Sequence, residues 1–273
     1  METKKLATVR NQNLHLQEWS IPNPKGWILL VHGLGEHIGR YQHVAHFFNQ
    51  NQFSVLGYDH IGHGKSDGKR GVVLKYNDLL DDLQQVLEIC QQKSVNLPIF
   101  IYAHSMGGNI ALNFLLKRKP SIAGMITTGA AIKLAFEPNP FVVALGKLTR
   151  SIYPSFSQKN QLVVQHISRN TEVVAAYQKD DLVHDKIGAE LGISLLETGK
   201  WLMNYHGESP CPLLLMHGSD DKLTHPDGSK ILSTHLTGDV TLKIWSTLYH
   251  EIHNEPEQLE VLNFAMGWVN RRV

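Results

Sequence analysis

The sequence predicts an α/β protein built on a mostly parallel sheet with helices on both faces. Short apolar runs rich in Val, Ile and Leu alternate with helical patterns along the chain. These runs do not alternate apolar with polar residues, which is typical of parallel strands covered on both sides. The 273 residues, with 42% hydrophobic residues and a mean hydropathy of −0.20, suit one soluble α/β domain that carries an insertion.

The elements follow one another in a regular order. The segments "KLATVR" and "LHLQEW" alternate apolar and polar residues, which predicts an antiparallel hairpin at the sheet edge. The predicted strands after this hairpin are 27–33, 53–59, 98–104, 124–130, 212–218 and 240–245. The predicted helices between them are 40–50, 78–93, 107–118, 227–236 and 256–270. Helix 78–93 places its apolar residues on one face, and Asn77 is its candidate N-cap.

The alternation is interrupted once, between Ile132 and Gly207. This stretch contains several prolines and reads as mostly helical, as in "FVVALGKLTRSI" and "TEVVAAYQKDDLV". We interpret an insertion between two sheet strands as a lid, whose apolar face can also pack on the main domain. The predicted organisation is therefore a core of residues 1–131 and 208–273 with a cap of residues 132–207.

Composition argues against several classes of function. A net charge of +1, from 26 basic and 25 acidic residues without a basic run, gives no support for a nucleic-acid partner. The first residues lack a signal-peptide core, and no apolar run approaches the roughly 18 residues of a membrane span. Cys90 and Cys211 are expected to be free thiols, so we predict a cytoplasmic protein, peripheral to a membrane at most. No metal site is predicted, because "HEIHN" departs from H-E-x-x-H at Asn254.

The stretch "PIFIYAHSMGGNIALNFLLK" reads as a buried strand, a sharp turn and a helix. A nucleophile elbow has the pattern G-x-S-x-G, which exposes the serine hydroxyl above the sheet and beside a helix N-terminus. Here Ser105 occupies the nucleophile position and Gly107 the last position, but Ala103 stands where the first glycine is usual. One added methyl weakens the motif without excluding it, so Ser105 is either a nucleophile or a chance serine at this junction.

Candidates for the acid and the base follow in the order expected for this kind of site. Asp220 and Asp221 follow a predicted strand, and the spacing H-G-x-x-D favours Asp221. His250 lies in a short loop between the last strand and the last helix, with His253 as its rival. The oxyanion donors are expected to be the backbone N–H of Met106 and that of Leu34 in the loop "HGLGEH".

Five segments then carry a resemblance that spans nearly the whole chain. They are "HGLGEHIGRY", "YDHIGHGKSDGKRG", "AHSMGG", "HGSDDKLT" and "YHEIHNE". The chain resembles the monoacylglycerol lipases, in the branch of serine α/β-hydrolases that includes lysophospholipase-like enzymes. This resemblance implies an α/β-hydrolase fold of eight strands with a helical cap, an acyl-enzyme mechanism on a small lipid ester, and no cofactor. Ala103 is the departure, since the family normally has Gly there.

By the same resemblance, Glu36, Arg40, Tyr177 and His253 are expected to bind the substrate, the first two and His253 on its alcohol side. The alternative is that the charged pair only braces its loop. The expected reaction is cleavage of monoacylglycerol to fatty acid and glycerol, with transient contact between the cap and a membrane surface. The alternatives are a lysophospholipase, a broad-specificity esterase, and a non-catalytic binding protein of the same fold.

Overall fold

The computed structural model describes residues 2–8 and 10–273 of the chain. Its strands, numbered along the chain, are β1 (Glu2–Ala7), β2 (Asn13–Trp19), β3 (Gly26–Val31), β4 (Phe53–Tyr58), β5 (Ile99–His104), β6 (Gly124–Thr128), β7 (Ser157–Lys159), β8 (Lys186–Gly188), β9 (Gly207–Glu208), β10 (Leu213–Gly218), β11 (Leu236–Thr237) and β12 (Val240–Trp245). The α-helices are α1 (Gln42–Gln50), α2 (Tyr76–Ser94), α3 (Met106–Arg118), α4 (Pro140–Ile152), α5 (Thr171–Lys179), α6 (Ala189–Met203), α7 (Pro226–His235) and α8 (Gln258–Asn270). No helix among these residues is both long enough and apolar enough to cross a bilayer.

An eight-stranded sheet forms the centre of the molecule, in the order β1-β2-β4-β3-β5-β6-β10-β12. The two N-terminal strands are antiparallel, and all pairings from β4 to β12 are parallel. This confirms the predicted mostly parallel sheet with an antiparallel hairpin at its edge. The loops after β3, β5, β10 and β12 therefore open at one edge of the sheet, where sites form in parallel α/β proteins.

Both faces of the sheet are covered, which explains why its strands are apolar along their whole length. In β3, Leu29 and Val31 pack into one core cluster with residues of α2 and α3, whereas Ile28 and Leu30 pack into another with residues of α1 and α8. The two clusters hold the parallel strands rigidly between two helical layers. Loops at the strand ends are therefore fixed in position.

The predicted elements of the core are present, with ends that differ by at most two residues except in the first strand. That strand begins at Glu2 and ends at Ala7, earlier than the segment "KLATVR"; Val9 of that segment lies outside the described residues. The predicted cap Asn77 is wrong, because α2 begins one residue earlier and its N-cap position is Lys75.

The insertion, residues 132–207, contributes no strand to the eight-stranded sheet. It carries α4, α5 and α6, together with a short antiparallel ladder of β7 and β8 that the sequence did not predict. Three-residue strands are too short to give a readable alternation, so this ladder left no pattern. Helix α6 packs on α3, whereas α4 has no buried residue.

Candidate active site

Ser105 lies in a sharp turn between β5 and α3. Its φ of 52° and ψ of −118° are rare for a residue with a side chain, because the left-handed region crowds Cβ. Gly107 is required on the far side of the turn, since a Cβ there would lie 2.4 Å from the carbonyl oxygens of both Val31 and His32. The turn is therefore a strained elbow that presents the serine at the open edge of the sheet.

Ala103 fits this elbow without distortion. It lies in the regular part of β5, paired with Val31 on one side and Thr127 on the other, and its methyl is fully buried. The positive φ falls on Ser105 and the close backbone approach falls on Gly107. Neither constraint falls on position 103, so an alanine is accommodated there.

Three of the predicted side chains form one hydrogen-bonded chain. The hydroxyl of Ser105 lies 2.8 Å from Nε2 of His250, and Nδ1 of His250 lies 2.7 Å from Oδ2 of Asp221. The competing Asp220 is exposed and accepts a hydrogen bond of 2.6 Å from the neighbouring serine hydroxyl. The geometry therefore favours Asp221 over Asp220 as the partner of the base.

The surroundings of this chain keep Asp221 ionised. Burial alone would raise its pKa, but the hydrogen bonds and charges of two histidines lower it below the ordinary value. The backbone N–H groups of Leu223 and Thr224 also donate to Oδ1, at 2.8 and 2.9 Å. Burial alone would lower the pKa of His250. The negative charge of Asp221 outweighs this effect, so the pKa is raised. His104, whose ring centroid lies 4.6 Å from that of His250, is held neutral because burial lowers its pKa to about 3.

The two predicted oxyanion donors flank the serine. Met106 is the first residue of α3, and Leu34 follows a glycine whose added Cβ would lie 3.2 Å from Cβ of Ser105. Within residues 2–8 and 10–273, neither of these two backbone N–H groups donates to another residue. Free N–H groups beside a nucleophile are what a developing oxyanion requires.

A cavity of about 910 Å³ opens beside Ser105. Core residues, including Leu34, Met106 and His250, form its floor, and the insertion supplies most of the remaining wall. The apolar wall side chains of the insertion include Leu134, Val143, Leu145, Phe156, Ile193 and Leu196. The volume lies in the upper part of the range for small-molecule sites, and the lining suits a long apolar group.

Comparison with known proteins identifies the family of the chain. The profile of a hydrolase family described as serine aminopeptidase, S33, matches residues 22–257. The chain belongs to this family. A monoacylglycerol lipase of Mycolicibacterium smegmatis is 34% identical to it, over 90% of this chain and 89% of that protein. An uncharacterised abhydrolase domain-containing protein of Dictyostelium discoideum is 35% identical over 98% of this chain, which spans 29% of that longer protein.

Solved structures of similar proteins share the fold. The monoacylglycerol lipase of Paleococcus ferrophilus superposes with a TM-score of 0.87 at 32% identity, over 95% of this chain and 99% of that one. A soluble variant of the monoglyceride lipase of Saccharomyces cerevisiae gives 0.85 at 22% identity, over 100% and 95% of the two chains. The family member described here therefore has the α/β-hydrolase fold that the resemblance implied.

Glu36 is buried in a network behind the oxyanion loop. Its Oε1 accepts hydrogen bonds of 2.7 Å from the backbone N–H of Gly33 and from the hydroxyl of Tyr41, and its Oε2 pairs with Arg40. Arg40 also binds both carboxylate oxygens of Glu251, at 2.8 and 2.7 Å. Burial raises the pKa of Glu36, and the Arg40 charge opposes part of that rise. These contacts fix the loop that carries Leu34.

The structure places two of the four expected substrate-binding residues on the cavity wall. Glu36 and Tyr177 lie on the cavity wall, but Arg40 and His253 do not. The guanidinium of Arg40 is occupied by two carboxylates and stacks on the Tyr177 ring at 4.6 Å from its centroid. His253 is buried, with its ring stacked on Tyr41 at 5.1 Å between centroids. Within the described residues no hydrogen bond joins its ring to Ser105, whereas His250 makes one at 2.8 Å.

Sequence reasoning missed three residues at this site. Glu251 follows the candidate base directly and binds Arg40, and Thr224 places its hydroxyl 2.8 Å from Oδ2 of Asp221. His217, at the end of β10, lies 3.1 Å from the same oxygen. All three stand inside the quoted segments "HGSDDKLT" and "YHEIHNE". Their adjacency to the acid and the base was therefore a usable signal.

The insertion also holds the loop that carries His250. The N–H of Glu251 donates to the carbonyl of Ile167 at 2.8 Å. Arg169 donates from its side chain to the fully buried Glu255 at 2.7 Å, and from its backbone N–H to the other oxygen at 3.0 Å. The position of the base thus depends on residues of the insertion.

Proposed function

We propose that the chain is a serine carboxylester hydrolase that cleaves monoacylglycerol to fatty acid and glycerol through an acyl-enzyme. The observation that carries the proposal is the chain Ser105–His250–Asp221, with bonds of 2.8 and 2.7 Å, at the floor of a large apolar cavity. The names of the relatives at 32% and 34% identity support the choice of substrate.

Each residue has a defined task in this mechanism. His250 takes the proton from Ser105 as the hydroxyl attacks the ester carbonyl, and Asp221 holds the imidazole in the required tautomer and stabilises its charge. The backbone N–H groups of Leu34 and Met106 bind the oxyanion of the tetrahedral intermediate. His250 then protonates the leaving alcohol. In the second half of the reaction His250 takes a proton from the water that attacks the acyl-enzyme, and it returns a proton to Ser105 as the fatty acid leaves.

The cavity divides naturally between the two parts of such a substrate. The apolar wall supplied by the insertion suits the acyl chain, whereas Tyr177 supplies a polar group on the same wall for the glycerol. We propose on this basis that residues 132–207 function as a cap. Arg40 and His253 do not line the cavity. We propose that they hold in place the side chains that they contact.

A second candidate, a lysophospholipase, is favoured by three lysines on the cavity wall. Lys133 and Lys159 have distant acidic partners at 3.7 and 3.5 Å, and within the described chain Lys200 forms no ion pair. An anionic headgroup would be attracted to these cations. We prefer the monoacylglycerol because these amines are exposed to water, which screens them strongly.

The test begins with labelling by a fluorophosphonate probe and hydrolysis of monoacylglycerols, lysophospholipids and p-nitrophenyl esters. Ser105→Ala should abolish both labelling and hydrolysis while the fold remains intact. Ser121→Ala, the same change at an exposed serine, should leave both unchanged. A parent protein that takes no label would overturn the serine hydrolase proposal. A clear preference for lysophospholipids would replace the monoacylglycerol by the second candidate.

We further propose that α4 makes transient contact with a membrane surface. Its side chains Phe141, Leu145, Leu148 and Ile152 recur at helical spacing and are between 57% and 85% exposed. Apolar side chains on one helix face with nearby basic residues favour interfacial binding. In liposome flotation at low salt, the parent should float in part and Phe141→Ser should float less. Leu259→Ser, at an exposed leucine of α8, should behave like the parent; if it lost as much, α4 would not be the contact.

A further inference from the structure

On the basis of the proposed function, we infer that His217 is a positioning residue: a second imidazole that holds the carboxylate of Asp221 and sets how acidic a medium the base His250 tolerates. His217 is the fifth residue of β10 and is fully buried, four residues before Asp221. It touches neither the nucleophile nor the cavity wall. Its effect on the reaction would pass through the carboxylate and through Thr224, whose hydroxyl lies 3.2 Å from both Nε2 of His217 and Nδ1 of His250.

The contacts of His217 fix the position of its proton. Nε2 lies 3.1 Å from Oδ2 of Asp221 and 3.2 Å from the carbonyl oxygen of Thr224, and both of these atoms are acceptors. Nε2 must therefore carry a hydrogen. Nδ1 lies 2.9 Å from the hydroxyl of Ser229 in α7, which can donate to it. The imidazole is thus held at both ends, with its N–H on the Thr224 carbonyl and beside the carboxylate.

One oxygen of Asp221 then serves two imidazoles. Oδ2 accepts a hydrogen bond of 2.7 Å from Nδ1 of His250, and Nε2 of His217, which carries a hydrogen, lies 3.1 Å from the same oxygen. A donor on a carboxylate stabilises its negative charge and weakens its attraction for a neighbouring cation. Without the His217 donor, more of that charge would act on His250. His250 would consequently retain its proton up to a higher pH, and a protonated ring cannot act as the base.

Other ionisable groups face this pair from the adjoining elements. Those that act on His250 or Asp221 are Glu36 of the oxyanion loop, His104 of β5, and Glu251 and His253 after β12. His104 has its pKa lowered to about 3 by burial, and Arg40 and burial act in opposite directions on the two glutamates. Within the described residues, none of these four groups contacts His217. A change at His217 therefore leaves their geometry in place.

The test compares two replacements of His217. Phe keeps an aromatic ring of similar size without any donor, whereas Gln retains an N–H at a position close to Nε2. For His217→Phe we expect the acid limb of kcat/KM to move up by about 0.5 to 1 pH unit. On the plateau, kcat should fall about three- to thirtyfold with KM nearly unchanged, and His217→Gln should recover most of both effects. Ser229→Ala, which leaves the imidazole in place, should shift the limb in the same direction by less.

His60→Phe is the matched control, because it makes the same change at another fully buried histidine. It should lower stability without moving the acid limb. An unmoved limb and unchanged kcat in folded His217→Phe would overturn the inference, and so would equal shifts in His217→Phe and His60→Phe. If His217→Phe does not fold, an unmoved limb in both His217→Gln and Ser229→Ala would overturn it.

A readout that needs no turnover separates this inference from the proposed function. NMR titration of the His250 ring, assigned by comparison with His250→Gln, should show the same upward shift in His217→Phe. An inactive parent protein with that shift would refute the hydrolase and leave the positioning role intact. An active parent without the shift would do the reverse.

Discussion

Replacing Glu36 by Gln tests whether this residue recognises the alcohol or braces the oxyanion loop. The structure favours the brace, because Oε1 accepts from the backbone N–H of Gly33, the residue directly before Leu34. A glutamine keeps one oxygen for that N–H but turns an amide toward Arg40, whose other partner Glu251 remains. The cost to the free energy of unfolding should be about 1–3 kcal/mol, as for a buried group left with a poor partner.

The activity should fall by the same factor on every ester. Loss of one oxyanion donor costs about 100- to 1000-fold in kcat, and a displaced loop should lose part of this, about 10- to 100-fold. The assay compares kcat/KM of a monoacylglycerol with that of a p-nitrophenyl ester of the same acyl chain. Glu137→Gln, at an exposed carboxylate of the cavity wall, is the control and should be nearly silent. A loss confined to the monoacylglycerol would refute the brace and establish a polyol contact.

Three further predictions concern the base, the elbow and the insertion. kcat/KM should fall as pH decreases through the pKa of His250, which the neighbouring aspartate raises above 6.5. The reason is that a protonated ring cannot take the proton of the nucleophile. A flat profile over about pH 5 to 8 would contradict this. Gly107→Ala should reduce soluble yield and Tm, since its Cβ would lie 2.4 Å from two carbonyl oxygens. Gly267→Ala in α8, whose Cβ would meet no atom closer than 3.9 Å, should stabilise the protein slightly. Arg169→Met leaves the buried Glu255 without its ionic partner. It should therefore lower the free energy of unfolding by about 1–3 kcal/mol, measured by urea titration, and reduce kcat. An unchanged kcat would show that the loop of His250 is held without Arg169.

The parts of the molecule that could be predicted from sequence are those with a local cause. Strands buried on both faces are apolar throughout, so their positions along the chain follow from short windows of sequence. Ser105, Asp221 and His250 each stand at a strand end within a recognisable segment, and the structure brings all three into hydrogen-bond contact. Their catalytic roles remain predictions until the variants are measured.

The parts that could not be predicted depend on contacts between distant segments. Arg40 was expected to face the substrate, and the pattern gave no sign that Glu251, 211 positions later, would bind it with both oxygens. His253 shares a segment with His250, yet a short 3-10 turn at Ile252–Asn254 carries it into the core. Such outcomes are decided by packing and by the pairing of buried charges, which a one-dimensional pattern does not record.

The bonds between the insertion and the loop of the base limit how this protein can be recombined with its relatives. The backbone bond from Glu251 to Ile167 and the pair of Arg169 with Glu255 join segments more than 80 positions apart. In a chimera that exchanges only residues 132–207, Arg169 and Glu255 would come from different parents. Each would lose its native ionic partner. Successful transplants should therefore take residues 249–257 from the same parent, so that the exchangeable unit is discontinuous in the gene.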